Sequence, residues 1–261
     1  MVETDKLHNL RHSLAHLLAA AILEIYPDTK NTIGPSIENG FYYDFDFQTP
    51  GVKNSPTPGV TDLPKIEKKM REILKSWKEF QSEEKTVKEA KEHFKKNEYK
   101  IELIDEIKNK GEKITFYTCG KLTPSKSGFT DLCRGGHLKN PSKEIKLDSF
   151  KLDRIAGAYW RGDEKNKMLT RIYGLAFETK EKLNEYVKMR EEAEKRDHKK
   201  LGKELGLFVV SDLVGKGLPM YLPKGNIIKT ELENFIRKEK EELGYSFVTI
   251  PHIAKKELYI R

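Results

Sequence analysis

Two short segments of this chain carry the side chains best suited to chemistry. His12 and His16 stand four apart in Arg11-His-Ser-Leu-Ala-His16, and Cys133 and His137 stand four apart in Asp131-Leu-Cys-Arg-Gly-Gly-His137. Either pair alone is a common decoration of a surface or a core. Together they supply three imidazoles and a thiol, a set that either holds a metal ion tetrahedrally or activates a water molecule. Both uses point to hydrolysis.

The elements that must position these groups follow from periodicity. Leu10, Leu14, Leu17, Leu18, Ala21, Ile22 and Ile25 recur at helical spacing and Pro27 follows, so His8 to Tyr26 is expected to be a helix with His12 and His16 one turn apart on one face. Thr32 to Ile37 and Asn39 to Phe47 form an expected hairpin, with Asn39-Gly40 as the turn signal and alternation of aromatic and acidic residues from Tyr43. Thr49 to Thr61 is rich in Pro and Gly and reads as a loop. Leu63, Ile66, Met70, Ile73, Leu74, Trp77 and Phe80 mark a second amphipathic helix with Pro64 in its first turn. Shorter helices are expected over Lys85–Lys96 and Tyr99–Lys108. Strands are expected over Lys113–Cys119 and Gly128–Cys133, with a Pro124-Ser-Lys-Ser127 turn between them, and over Phe150–Ile155 and Met168–Phe177. Gly157-Ala-Tyr-Trp-Arg-Gly-Asp163 reads as a polar-aromatic loop. Helices mixed with antiparallel strands place residues 1–178 in the α+β class.

Beyond Thr179 the composition changes. Lys, Glu and Arg dominate to about Leu205, with only a thin stripe of Leu183, Tyr186, Val187, Met189 and Ala193, which predicts a charged linker helix over 179–205. A further unit, 206–261, contains a long expected helix from Asn226 to Leu243, an expected strand from Tyr245 to Ile250, and Pro251. The sequence as given stops at Tyr259-Ile-Arg261, which reads as an incomplete domain.

Composition narrows the classes of function. No apolar stretch among the 261 residues is long enough for a membrane span, and Met-Val-Glu-Thr-Asp-Lys at the start has no signal-peptide pattern. Two cysteines cannot build a disulfide framework, which fits a reducing cytoplasm. The net charge of +8 suits a polyanionic partner such as nucleic acid, although a generally lysine-rich composition gives the same number.

The residues then resemble a known family. His12-Ser-Leu-Ala-His16, Ile33-Gly-Pro35, Asn39-Gly-Phe-Tyr-Tyr-Asp44, Cys133-Arg-Gly-Gly-His137, Ala156-Gly-Ala-Tyr-Trp-Arg-Gly-Asp163, Arg171-Ile-Tyr-Gly174 and Arg196-Asp-His-Lys-Lys-Leu-Gly202 stand in the order seen in bacterial threonyl-tRNA synthetases. The resemblance implies an editing domain of the threonyl/alanyl-tRNA synthetase second-additional-domain type, then a linker helix, then an incomplete class II α/β fragment in which Asn226–Pro251 resembles motif 1. It implies an ATP-dependent ligase as the parent enzyme and hydrolysis of seryl-tRNA(Thr) by this portion. ATP, magnesium and a further zinc would serve only the full-length synthetase, because ATP-binding motifs 2 and 3 are not in this sequence. The implied partners are the acceptor end of tRNA(Thr) and, in the full-length enzyme, a second copy, with no membrane.

The same resemblance assigns His12, His16, Lys100, Cys133 and His137 to the catalytic set. An oriented water is expected between His12 and Lys100, because a lysine in a dry, cationic site can accept a proton. Asp131, Tyr43 and Asp44 are candidates for holding the substrate. Zinc on His12, His16, Cys133 and His137 stays open as an alternative. Gly136 stands where the family more often has proline. Trp160 and Arg161 either contact the tRNA end or brace their loop. His198 reads as a structural or tRNA-contacting residue. His8, His93 and His252 read as surface histidines, and Cys119 as core.

Overall fold

A computed structural model of the chain describes residues 3–47, 57–120, 128–215, 217–253 and 255–256. Two compact units divide it, Met1–Val187 and Lys188–Arg261.

The first unit starts with α1 (Glu3–Ile25). From Ser13 to Ile22 every residue of α1 is buried, so this helix forms the centre of the core. Two short strands follow, β1 (Lys30–Asn31) and β2 (Ser36–Ile37), and both pair antiparallel with the same edge of β3 (Gly40–Asp46). Alternation along β3 sends Phe41, Tyr43 and Phe45 into the core against α1. The expected loop before α2 lies mostly outside the described residues, which resume at 57. Next, α2 (Leu63–Leu74) buries Leu63, Ile66, Met70, Ile73 and Leu74 on one stripe.

The expected helix over these residues extended to Phe80, and the structure corrects this. Helix α2 stops at Leu74, and Phe80 opens a strand, β4 (Phe80–Lys85), paired in register with Cys119. The Ser76 hydroxyl donates to the Ile73 carbonyl at 2.8 Å, closing the last turn. Trp77 and Phe80 remain apolar and inward-facing, so their spacing mimicked a continuing helical stripe.

Two helices follow, α3 (Val87–His93) and α4 (Glu98–Asn109). Thr86 and Glu89 form a capping box on α3, and the Asn97 side chain caps α4 by accepting from the Lys100 N–H. Strands β5 (Ile114–Cys119) and β6 (Phe129–Leu132) complete an antiparallel three-stranded sheet in the order β4-β5-β6. The turn expected at Pro124–Ser127 lies outside the described residues. A single turn, α5 (Pro141–Glu144), precedes β7 (Phe150–Tyr159) and β8 (Met168–Ala176). The larger antiparallel sheet has the order β1-β3-β8-β7 with β2 also on β3. The polar-aromatic segment expected as a loop from Gly157 is instead strand as far as Tyr159, followed by a 3-10 turn over Trp160–Gly162. Gly157 and Ala158 pair with Thr170 and Leu169, so small side chains let the ladder continue.

The charged segment after this sheet is helical but not one helix. Here α6 (Lys180–Lys195) is separated from α7 (His198–Glu204) at Arg196-Asp197. The Asp197 carboxylate accepts from the N–H groups of Lys199 and Lys200 at 2.8 and 3.1 Å, an N-cap that starts a new helix. In the second unit, β9 (Phe208–Val209) and β10 (Met220–Tyr221) pair antiparallel ahead of α8 (Pro223–Glu242). The strand expected over Tyr245–Ile250 is absent, since among the described residues no other strand pairs with it and a ladder needs a partner. Among the described residues no helix is long and apolar enough to cross a membrane.

Candidate active site

The two sequence pairs meet in the first unit. His12 and His16 project from the same face of α1, with ring centroids 5.0 Å apart. Cys133 and His137 lie on the loop that leaves β6. That loop turns through Gly135 and Gly136, whose φ angles of +95° and +82° fall in a region most residues avoid. The Ser13 hydroxyl accepts the Leu138 N–H at 3.1 Å, tying the end of the loop to α1. His137 is sandwiched: its ring stacks on Phe80 at 3.9 Å and on His12 at 4.3 Å.

One ligand-capable atom from each of His12, His16, Cys133 and His137 lies within 4.8 Å of the others. The Cys133 Sγ is 3.2 Å from His137 Nε2 and 3.6 Å from His12 Nε2. The His12 Nδ1 meets the Gly136 carbonyl at 3.2 Å. A carbonyl only accepts, so Nδ1 carries the proton and Nε2 offers its lone pair to the cluster. Burial lowers the His12 pKa, partly offset by that hydrogen bond. Burial, together with the neighbouring His12 and Lys100 charges, holds His16 well below an ordinary imidazole. His137 is lowered by burial and then by its two histidine neighbours. Burial pushes the Cys133 thiol up to about 12, while the Gly135 N–H, 3.3 Å from Sγ, acts in the other direction.

This donor set fits a soft tetrahedral cation. With Zn–S and Zn–N bonds of about 2.3 and 2.05 Å, the edge of a tetrahedral shell is roughly 3.6 Å, and the Sγ–Nε2 separations of 3.2 and 3.6 Å are close to it. The buried Nδ1 atoms of His16 and His137 have no hydrogen-bond partner among the described residues.

Beside the cluster lies a second, polar network. Lys100 on α4 is buried and forms an ion pair with the buried Asp131 of β6. The Tyr43 hydroxyl donates to the other Asp131 oxygen at 2.5 Å and accepts from Asn31 Nδ2 at 3.0 Å and from Lys100 Nζ at 3.4 Å. Burial, and then Asp131, raise the Tyr43 pKa well above its ordinary value. The Asn97 amide donates to the Asn31 carbonyl at 2.8 Å, while its oxygen caps α4. The network thus runs from the α4 cap back to Lys100 on the first turn of the same helix. Asn31 and Asn97 were not singled out from sequence. An asparagine just before the helical segment that starts at Tyr99 was the available signal for Asn97.

Both groups open onto one cavity of about 430 Å³ lined by His12, His16, Lys100, Asp131 and Cys133. The remaining wall mixes apolar residues, including Ile33, Pro35, Leu103 and Ile107, with the charged Glu106, Lys110, Lys113 and Arg134. Tyr43 reaches the site through Asp131, and His137 through Cys133. Asp44 is not brought there. It is adjacent to Tyr43 on a strand, so it projects to the opposite face, where Arg171 grips it through Nε and Nη2 at 2.6 and 2.7 Å. His8, His93 and His252 are exposed, and Cys119 is buried in the core.

Residues 114–173 match the family model of the threonyl and alanyl tRNA synthetase second additional domain. A threonine–tRNA ligase of Gloeobacter violaceus is 47% identical over 259 residues, which is 98% of this chain and 39% of that protein. Those of Fusobacterium nucleatum and Borrelia turicatae are 48% and 46% identical, over 96% and 98% of this chain and 38% and 41% of their own lengths. This chain is similar to threonine–tRNA ligases over nearly its whole length. It matches the second-additional-domain family over residues 114–173 and spans about two fifths of the length of the curated relatives it matches. The matched domain includes Asp131, Cys133 and His137. His12, His16 and Lys100 come from the helices ahead of it.

Proposed function

We propose that this chain is the editing portion of a threonine–tRNA ligase and that its cavity hydrolyses serine wrongly esterified to tRNA(Thr). The single observation that carries this reading is the convergence of a neutral His12 Nε2 and the buried Lys100–Asp131–Tyr43 network on one cavity. The demand for such a site is physical. Serine lacks one methyl of threonine, and a binding pocket discriminates against a missing methyl by only about 1–3 kcal/mol. A second site that admits serine and excludes threonine supplies the remainder.

The reaction runs as general-base hydrolysis. His12 Nε2 takes a proton from a water molecule as the water oxygen attacks the ester carbonyl. Lys100 is engaged with Asp131, so it presents N–H donors rather than a lone pair, and its charge stabilises the developing oxyanion. The carbon–oxygen bond to the ribose then breaks, and His12 returns its proton to the ribose oxygen. Serine and free tRNA leave. Asp131 and Tyr43 hold Lys100 in place, and Asp131, which lines the cavity, offers an acceptor to the substrate amino group. Zinc on His12, His16, Cys133 and His137 would act as a Lewis acid, yet four protein ligands fill a tetrahedral shell, whereas catalytic sites keep one position open.

By the same reading, α8 with the segment after it is motif 1 of a class II aminoacylation domain. Threonine activation with ATP and magnesium, the further zinc, dimerisation and a cytoplasmic setting then belong to the full-length enzyme.

The test is hydrolysis of seryl-tRNA and threonyl-tRNA, both on tRNA(Thr), by the purified chain with and without a chelator. Selective, chelator-resistant loss of the seryl ester is expected. Equal rates on both esters would overturn the editing assignment. Loss of activity with chelator and recovery with zinc would move the chemistry to the metal.

A further inference from the structure

Two carboxylates line the cavity, Asp131 on β6 and Glu106 on α4. Each is matched to a cation. Asp131 meets Lys100 from within, and Glu106 meets Arg161 at 2.5 Å. Arg161 does not itself line the cavity. It sits on the turn after β7, and the same guanidinium also holds Glu102 through Nε at 3.0 Å. The neighbouring Trp160 is buried, and its indole N–H donates to the other Glu102 oxygen at 2.9 Å. The indole donor is therefore spent inside the protein, and the corner clamps α4 rather than offering a ring for base stacking.

Arg161 adopts φ +61°, the one non-glycine residue with positive φ among the described residues. Such a conformation persists only where surrounding contacts hold it. Here those contacts are Glu102 and Glu106, one turn apart on α4.

The remaining charged groups on the cavity lining are basic, Lys110, Lys113 and Arg134. Lys113 and Arg134 form solvent-exposed pairs with Glu84 and Glu112. Left unmatched, Glu106 would set a negative charge among them, facing any polyanion that enters.

We propose that Arg161 is a positioning residue that offsets the negative charge of Glu106 at the cavity wall, and of Glu102 one turn before it, so that the phosphate-bearing end of an RNA ester can approach. This rests on the reading of the cavity as an RNA-ester site. The role is electrostatic and acts through Glu106, so it differs from catalysis and from stacking.

The test compares the full chain with Arg161→Gln, Arg161→Lys and the double variant Arg161→Gln/Glu106→Gln. The probe is a fluorescent RNA hairpin carrying the acceptor-end sequence of tRNA(Thr), and the readout is Kd by anisotropy at about 50 and about 250 mM salt. KM and kcat for the seryl ester are measured alongside. Arg161→Gln should raise Kd and KM by roughly three- to tenfold at low salt, with less change at high salt. It should leave kcat within about twofold. Arg161→Lys should retain most of the affinity, and the double variant should recover it. Unchanged Kd in Arg161→Gln overturns the proposal. So does a loss that the double variant fails to recover, because that loss belongs to the fold of the corner. Absence of hydrolysis by the parent chain counts against the editing reading alone, since Kd still reports on Arg161.

Discussion

The Nδ1 of His12 donates to the carbonyl oxygen of Gly136 across 3.2 Å, which fixes the tautomer of the imidazole from outside the cavity. The lone pair on Nε2 is then available where the substrate enters. His12→Asn keeps a donor near the Gly136 carbonyl and removes that base. It should lower seryl ester hydrolysis by about 10²–10⁴ with little change in thermal stability. Because burial lowers the His12 pKa, the base stays competent on the acid side of neutrality, and the acid limb of kcat/KM should lie below the ordinary histidine value. A pH–rate profile of the parent chain and a single rate for the variant decide both points. Full activity in His12→Asn would remove His12 from the reaction.

The Lys100–Asp131 pair is almost wholly out of water, with side chains 2% and 3% exposed. Removing one partner leaves the other charge buried and alone, at a cost of about 3–5 kcal/mol. Asp131→Asn should therefore destabilise the first unit strongly in urea unfolding. Lys100→Met/Asp131→Asn should be less unstable than Asp131→Asn alone, because the orphan charge is gone. Additive losses in the double variant would show that the pair is not an electrostatic unit.

Buried histidines tie stability to pH. Burial holds His16 and His137 below the ordinary imidazole value, which is about 6.5 in an unfolded chain. Below that pH the unfolded state binds protons that the folded state does not. Stability should accordingly fall as pH drops from about 6.5, by up to about 1.4 kcal/mol per pH unit for each group. Above about pH 7 both are neutral in either state and contribute no slope. Urea midpoints between pH 5 and pH 8 measure this, and His137→Gln should reduce the slope. A flat profile for the parent chain would mean that the cluster takes up protons without unfolding.

The cluster of His12, His16, Cys133 and His137 was legible because residue type and spacing carry it: the i,i+4 histidines needed only a helix, and Cys133 and His137 needed only a short loop, whereas Lys100 was singled out by the family resemblance alone. What sequence could not supply was depth and direction. Trp77 and Phe80 continue the apolar stripe of α2, yet a strand rather than a helix places the half-buried Phe80 against His137. Asp44 shares a motif with Tyr43, but strand alternation sends it to Arg171 on the far face. The expected linker helix missed the break at Asp197, where a capping side chain outweighs a long run of helix formers. Asn31 joins the site through a tertiary hydrogen bond that no local pattern announces.

Gly136 links the geometry of the loop to the chemistry of the histidine. Its φ of +82° costs glycine nothing, but a Cβ there carries a left-handed penalty of roughly 1–2 kcal/mol. Space is not the obstacle, since a Cβ would stand 3.4 Å from Asn9 Oδ1 and 3.7 Å from His12 Nδ1. Gly136→Ala should thus lose about 1 kcal/mol of stability. It should also slow hydrolysis, because a backbone that relaxes toward negative φ takes the carbonyl away from His12. Gly111 has φ +69° with nothing within 4 Å of an added Cβ, and it follows the end of α4 rather than sitting on the loop that carries His137. Gly111→Ala should match the stability loss and leave hydrolysis untouched. Equal rates in the two alanine variants would show that the Gly136 carbonyl does not orient His12.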